Sequence, residues 1–173
     1  MPPSGTTLHF PQRVVVGVGE MCVSDNPAIT LSTYALGSCV AVVVYDAVAK
    51  AGGMLHMMLP DSKLAPEKAA SQPAMFVDTG LPLLFRSIAS LKTDPQRLRI
   101  FVAGGACVRC VDDTFRIGER NVRVTADYLS REGYVVRQTA VGGTINRTVH
   151  LNIGTGEITL KTPTASDSFL LAA

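Results

Sequence analysis

A cysteine and a histidine in the first half of the chain are the residues best suited to covalent chemistry. Cys39 stands in LGSCVAVVVYD, directly after Gly37 and Ser38, and His56 follows in GGMLHMMLPD. A thiolate is a strong nucleophile, and a nearby imidazolium would lower the thiol pKa and help to form it. A turn at Gly37 and Ser38 would expose the thiol, and free backbone N–H groups there could hold an oxyanion. We therefore treat Cys39 and His56 as a candidate nucleophile and base.

The two residues can meet only in one class of strand register. If 39–46 and 53–59 form an antiparallel hairpin around Val48 and Ala49, His56 lies opposite Ala41 and on the same face as Cys39. Diagonal neighbours on one face are about 7–8 Å apart at the backbone, which an imidazole and a thiol can span. A register shifted by one residue would place the two side chains on opposite faces. The hypothesis therefore depends on this register.

Both residues also have an ordinary structural interpretation. A cysteine in a buried strand is usually packing, and a single histidine in an apolar strand is usually a hydrogen-bonded core residue. Spacing alone leaves the two interpretations open.

Cys107 and Cys110 form a competing C-x-x-C motif, which could bind zinc or act as a redox pair. A structural zinc site needs four ligands, however, and no second pair of ligands follows. We expect no metal and no cofactor.

The remaining polar motifs are expected to be structural: Cys22 and His150 as packing residues, Glu119 and Asn121 as helix-capping residues, and GVGE (17–20) as an incomplete nucleotide-binding fingerprint.

The elements that must position the cysteine and histidine follow from the apolar pattern. CVAVVVYD (39–46) predicts a strand buried on both faces. We expect an exposed loop over 61–74, a helix over 75–91 that Pro82 weakens, and an amphipathic helix in ERNVRVTADYLSREGY. Further strands are expected at 13–20, 29–36 and 97–106, and in YVVRQTAVGG, RTVHLNI and EITLKT. This order predicts one α+β domain with a mixed, largely antiparallel sheet arrangement flanked by two or three helices.

Composition limits the class of protein. The 173 residues suit one domain (13–161) between tails at 1–12 and 162–173, and 47% apolar residues indicate a packed core. A net charge of +2 argues against nucleic-acid binding, and the apolar runs are too short for membrane insertion. No secretory signal is evident, so we expect a cytoplasmic protein whose four cysteines are thiols.

The motifs together resemble a known family. LGSCVAVVVYD, GGMLHMMLPD, FVAGGA, IGERN and VGG, in this order, are similar to the chemoreceptor glutamine deamidase family CheD. Two positions depart from the family pattern: Ala140 where an aspartate is common, and Asn146 where a glycine is common. These departures do not involve the candidate pair.

The resemblance implies a fold and a function. The fold would be like that of bacterial toxin-type cysteine deamidases. The activity would be that of a protein-glutamine glutaminase acting on chemoreceptor helices, with hydrolysis of receptor glutamyl methyl esters in some members. It implies a catalytic triad of Cys39, His56 and Thr33, with the backbone N–H groups of Ser38 and Cys39 as the oxyanion hole. It also implies the phosphatase CheC as a partner. The alternative is a non-enzymatic adaptor that binds receptors or a CheC-type phosphatase and uses the Cys39 region only for packing.

Overall fold

The computed structural model describes residues 12–108 and 114–172, which form ten strands and three α-helices. The predicted tail 1–12 lies almost wholly outside the described residues. The strands are β1 Gln12–Val15, β2 Met21–Ser24, β3 Ile29–Leu36, β4 Val40–Asp46, β5 Ala51–Met57, β6 Arg99–Gly104, β7 Val135–Val141, β8 Arg147–Asn152, β9 Glu157–Lys161 and β10 Ser166–Leu170. The helices are α1 Pro66–Ser71, α2 Val77–Ala89 and α3 Ile117–Arg131.

The strands form two five-stranded sheets. The outer sheet has the order β1-β3-β8-β9-β10, and the central sheet has the order β2-β5-β4-β6-β7. The pairs β1–β3 and β6–β7 are parallel, and the other pairs described are antiparallel. The predicted α+β class with mixed, largely antiparallel sheets is confirmed.

The middle strands of the central sheet are buried on both faces because they lie between the outer sheet and the helices. Every residue of β4 and β5 is buried, as the continuous apolar run of β4 predicts. Val40, Val42 and Val44 of β4 face α2 and α3, whereas Ala41 and Val43 face the outer sheet. The fold therefore has three layers, and alternate residues of β4 belong to two different cores.

The hairpin has the register that the candidate pair needs. Ala41 is the partner of His56, and Val40 is the partner of Met57. The turn is held by Asp46, whose carboxylate accepts hydrogen bonds from the backbone N–H groups of Val48 and Ala49 at 2.9 and 3.2 Å. The predicted register is confirmed.

Several predicted elements differ from the structure. The predicted strand 13–20 is shorter, and a strand that the sequence analysis missed, β2, follows it and pairs with β5. The expected loop 61–74 contains α1 and two 3-10 turns. Pro82 lies inside one continuous helix, α2, which packing on the central sheet stabilises despite the lost hydrogen bond. The last twelve residues, expected to be frayed, contain β10, which pairs with β9.

In the part of the chain that the structure describes, no helix has the length and hydropathy needed to cross a bilayer.

Candidate active site

A hydrogen-bonded pair links the two sheets at the candidate site. The Oγ1 atom of Thr33, in β3 of the outer sheet, lies 2.8 Å from Nδ1 of His56, in β5 of the central sheet. The Thr33 hydroxyl donates its proton to the carbonyl of Val16, also at 2.8 Å. Since a hydroxyl has one proton, its oxygen must accept from the Nδ1–H group of His56. The neutral ring therefore carries its proton on Nδ1.

This tautomer leaves the Nε2 atom of His56 with a free lone pair. His56 is 3% exposed, and Nε2 has no hydrogen-bond partner among the described residues. The backbone of His56 is held by the segment before β2, because Gly19 donates to its carbonyl and its own N–H group donates to the carbonyl of Glu20. The ring is thus fixed, with an unprotonated nitrogen available to accept a proton.

Cys39 lies one residue before β4, on the face of the central sheet that His56 also occupies. Its side chain is a free thiol, partly exposed and packed against the core between the two sheets. The thiol and the Nε2 atom of His56 are not hydrogen-bonded to each other. Cys39 is therefore partly exposed and close in register to the base, but no hydrogen bond joins the two side chains.

Burial keeps both members of the pair neutral. Desolvation raises the pKa of the Cys39 thiol above its ordinary value of 9.0, although its own backbone N–H group acts in the opposite direction. Desolvation also lowers the pKa of His56 below 6.5, against the raising effects of the Val16 carbonyl and the Glu20 charge. The expectation that an imidazolium lowers the pKa of Cys39 is therefore wrong for the resting protein, because a buried site disfavours both charged forms.

The segment around Cys39 is held by the loop that follows β6. Gly105 donates a backbone hydrogen bond to the Cys39 carbonyl at 2.8 Å, and Ala106 donates to the Gly37 carbonyl at 2.7 Å. Gly104 has a φ of 108°, and a Cβ atom there would collide with the Cys39 carbonyl oxygen. Only glycine permits this approach.

Two backbone N–H groups of this segment have no hydrogen-bond acceptor among the described residues. Within the described residues, those of Ser38 and Cys39 donate to no other group. Two adjacent free N–H groups beside a candidate nucleophile can stabilise a negative oxygen.

An open cavity of about 400 Å³ lies beside this segment. It has an apolar character that suits the methylene stem of a long side chain, and it opens next to Ser38, the residue before the thiol. Its lining residues are Gly37, Ser38, Met58, Leu59, Ala106, Cys107, Val108 and Ile117.

The other residues considered in the sequence have separate positions. His150 is buried in the outer sheet, where its Nδ1 atom lies 2.8 Å from the Ser32 hydroxyl. Cys22 is a free thiol packed against the core between the sheets. Cys107 is disulfide-bonded, so the expectation of four thiols is wrong for this residue. Cys110 lies outside the described residues. Residues 12–108 and 114–172 contain no cluster of three or more His, Cys, Asp or Glu side chains arranged to hold a metal.

Asn121 is a site residue that the sequence analysis assigned to helix capping. The N-cap of α3 is Arg116, which makes no side-chain capping bond, and Asn121 instead donates to two strand ends beside Cys39. Asn121 and Thr125 are polar residues one helical turn apart on the buried face of α3, next to Leu129. That pattern, polar residues within an apolar stripe, is the signal that could have identified it.

The sequence of this chain is similar to a family with a described role. A family model described as CheD chemotactic sensory transduction matches residues 58–162. A protein of Syntrophus aciditrophicus, named probable chemoreceptor glutamine deamidase CheD 1, is 43% identical over 150 residues, covering 86% of this chain and 92% of the relative. The chain belongs to the CheD family. The resemblance inferred from the motifs is confirmed.

Further CheD relatives match the same extent of the chain. A Solibacter usitatus protein named probable chemoreceptor glutamine deamidase CheD is 41% identical, over 87% of this chain and 89% of its own length. A protein of the same name from Thermococcus kodakarensis is 35% identical, over 86% of this chain and 92% of its own length. Among solved structures, Neisseria meningitidis protein NMB0706 matches at a TM-score of 0.45 and 14% identity, covering 79% of this chain and 62% of its own.

Proposed function

We propose that this CheD protein is a protein-glutamine deamidase that converts glutamine side chains of bacterial chemoreceptors to glutamates. The relatives' names supply the substrate class. The hydrogen bond between Thr33 and His56 is the observation that supports the chemistry, because it leaves a buried, unprotonated Nε2 atom near a partly exposed thiol. Cys39 is the nucleophile, His56 the general base and acid, and Thr33 the residue that orients the ring.

The first step forms a tetrahedral intermediate. As the Sγ atom of Cys39 bonds to the carbonyl carbon of the glutamine side chain, the thiol proton passes to Nε2 of His56, and the carbonyl π electrons move to oxygen. The backbone N–H groups of Ser38 and Cys39 stabilise this oxyanion. Because the thiol and ring are not hydrogen-bonded at rest, the thiol turns toward Nε2 when substrate binds.

The second and third steps release ammonia and regenerate the thiol. His56 returns its proton to the departing nitrogen as the carbon–nitrogen bond breaks, leaving a thioester on Cys39. Water then attacks the thioester carbonyl while His56 accepts a proton from the water. The carbon–sulfur bond breaks, His56 returns that proton to the sulfur, and glutamate and the thiol result. The same thioester chemistry would hydrolyse a glutamyl methyl ester, with methanol as the leaving group.

The surroundings of His56 suit a charge that exists only during the reaction. Burial disfavours the imidazolium, so the resting ring stays neutral and able to accept a proton. When the proton arrives, the Thr33 oxygen, the Val16 carbonyl and the Glu20 charge lie where they stabilise it.

The test is deamidation of receptor cytoplasmic fragments followed by mass spectrometry. We expect the wild-type protein to add about 1 Da per modified glutamine as an amide becomes an acid, and to release ammonia. Cys39→Ala and Cys39→Ser should lose this activity while melting at the wild-type temperature. Cys22→Ala is the matched control, since it removes the other free thiol packed against the same core. Full turnover by Cys39→Ala would exclude the mechanism.

We also propose that the protein works in the cytoplasm and binds a CheC-type phosphatase. The cytoplasmic location follows from a substrate on the cytoplasmic helices of receptors, and the partner follows from the family resemblance. Co-purification with a CheC protein from the same cell tests the second point. Absence of a complex at micromolar concentrations of both proteins would contradict it.

A further inference from the structure

Asn121 joins the nucleophile segment to the strand that carries the base. Its side chain is fully buried in α3, and its Nδ2 atom lies 3.0 Å from the Ser38 carbonyl and 2.9 Å from the Met58 carbonyl. Ser38 directly precedes the thiol residue, and Met58 follows β5, the strand that carries His56. One amide group therefore uses both of its protons to hold the ends of β4 and β5 together.

The hydrogen bond to Ser38 also fixes the direction of a proposed oxyanion donor. The Ser38 carbonyl and the Cys39 N–H group belong to the same planar, trans peptide unit, so they point in opposite directions. Because Asn121 holds the carbonyl toward α3, the N–H group must point away from α3. This N–H group is one of the two without an acceptor among the described residues.

Neither helix capping nor a fully hydrogen-bonded amide accounts for an asparagine here. The Oδ1 atom of Asn121 is buried and has no hydrogen-bond partner among the described residues, which costs free energy. The side chain does not cap α3, because Arg116 is the N-cap residue. The two donated bonds are therefore the contribution of this residue to the site.

We propose that Asn121 is a positioning residue for the oxyanion hole, which sets the orientation of the Ser38–Cys39 peptide and its distance from His56. The inference rests on the proposed acyl chemistry at Cys39. It predicts that loss of the amide slows reactions that pass through an oxyanion and spares reactions that do not.

Two small reagents separate these classes of reaction without a receptor. With p-nitrophenyl acetate, Cys39 Sγ bonds to the acetyl carbon through an oxyanion, p-nitrophenolate leaves, and the thiol proton passes to His56. With iodoacetamide, Cys39 Sγ bonds to the methylene carbon as the carbon–iodine bond breaks, iodide leaves, the thiol proton passes to solvent, and no oxyanion forms. The ratio of the acylation rate to the alkylation rate at one pH, with the Cys39→Ala background subtracted, reports the oxyanion hole alone.

The first variant is Asn121→Asp, which keeps the shape of the side chain but loses the Nδ2 donor. The second is Asn121→Ala, in which the ratio is measured if the aspartate variant does not fold. Thr125→Val is the matched control, because Thr125 is equally buried one turn further along α3 and its hydroxyl has no partner among the described residues. We expect the ratio to fall about 10- to 100-fold in the Asn121 variants and to stay within twofold in the control.

The outcomes separate this inference from the proposed function. An unchanged ratio in folded Asn121 variants, an equal fall in Thr125→Val, or no acylation of the wild-type thiol would overturn the inference. If the ratio falls as expected but the wild type does not deamidate receptor fragments, the positioning role stands and the proposed substrate is wrong.

Discussion

The proton on the His56 ring is the residue-scale feature on which the proposed chemistry depends. The Thr33 hydroxyl gives its only proton to the Val16 carbonyl, so it can interact with the ring only as an acceptor. One threonine thus selects the tautomer whose Nε2 atom is a base. A serine would supply the same hydroxyl, whereas a valine would supply only the shape.

Thr33→Val should lower kcat for deamidation about 10- to 100-fold, or roughly 1.4–2.7 kcal/mol of transition-state stabilisation. The loss should be partial, because the Val16 carbonyl also interacts with the ring and can retain the Nδ1–H tautomer. Thr33→Ser should recover most of the rate. Steady-state kinetics on a receptor fragment checks this, and a valine variant with wild-type kcat would show that the hydroxyl does not orient the ring.

The pH dependence of deamidation and of thiol alkylation follows from His56 and Cys39, which are both neutral at rest. The pKa of His56 lies below 6.5, so the base is unprotonated, and the acid limb of kcat/KM should fall below pH 6.5. The pKa of Cys39 lies above 9.0, so iodoacetamide alkylation should still rise as the pH passes 9.0.

Alkylation followed by peptide mass spectrometry between pH 5 and about 10 checks the predicted rise in Cys39 alkylation. Cys22 is an internal comparison, because burial raises the pKa of its thiol too. An alkylation rate for Cys39 that is already constant from pH 5 to 8 would instead indicate an imidazolium–thiolate pair, as in enzymes with a low-pKa cysteine.

The β4–β5 hairpin is the element that sets the register of the site. Asp46 is fully buried at its turn, and Arg97 forms an ion pair with it at 2.9 Å. Burial alone would raise the pKa of the Asp46 carboxyl, but hydrogen bonds from Arg97 and three backbone N–H groups lower it to about 2. The backbone donors are Val48, Ala49 and Asp94.

This carboxylate should contribute about 2 kcal/mol to the free energy of unfolding at neutral pH. Its folded pKa lies below the unfolded value of 3.8, so the contribution is present above pH 3.8 and is lost as the pH falls toward 2. Asp46→Asn should therefore lower stability at pH 7, and the difference from wild type should shrink below pH 3.8. Urea unfolding at pH 7 and below pH 3.8 checks this, with Asp127→Asn on the exposed face of α3 as the control. An equal difference at both pH values would contradict the assignment.

At the scale of the whole molecule, the candidate site lies where the three layers meet. The outer sheet supplies Thr33, the central sheet supplies His56 and the approach to Cys39, and α3 supplies Asn121. The site therefore depends on both the packing of the two sheets and the packing of a helix on them. Changes that loosen the outer sheet should disturb the ring of His56 even when they are far from it.

A truncation after Lys161 tests how much the last strand of the outer sheet contributes to stability. It removes β10, whose Phe169 packs edge-on against Phe101, and it removes Leu171, which is 1% exposed. We expect a loss of roughly 3–5 kcal/mol in the free energy of unfolding, because two large apolar side chains leave the core. A truncation after Leu171 is the control and should be neutral. Differential scanning calorimetry measures both, and equal melting temperatures would show that the last strand is dispensable.

The sequence was informative where local pattern decides structure. The β-branched run of β4 predicted a doubly buried strand, and the short turn after Asp46 allowed the hairpin register to be inferred. Local pattern was misleading where tertiary packing supplies the stability. The strand β10 is polar and mostly exposed, and it is held by pairing with β9, which a single segment cannot reveal.

The sequence by itself determined the family and the α+β class, and it predicted the hairpin register that would bring Cys39 and His56 to one face. Only the tertiary structure decided that the Thr33 hydroxyl meets Nδ1 of His56 and that α3 holds the Ser38 carbonyl. The physical reason is that a register is set by neighbouring residues and their turn, whereas contacts between layers join residues far apart in the chain. Their distances and the pKa values of the buried groups follow from how the layers pack.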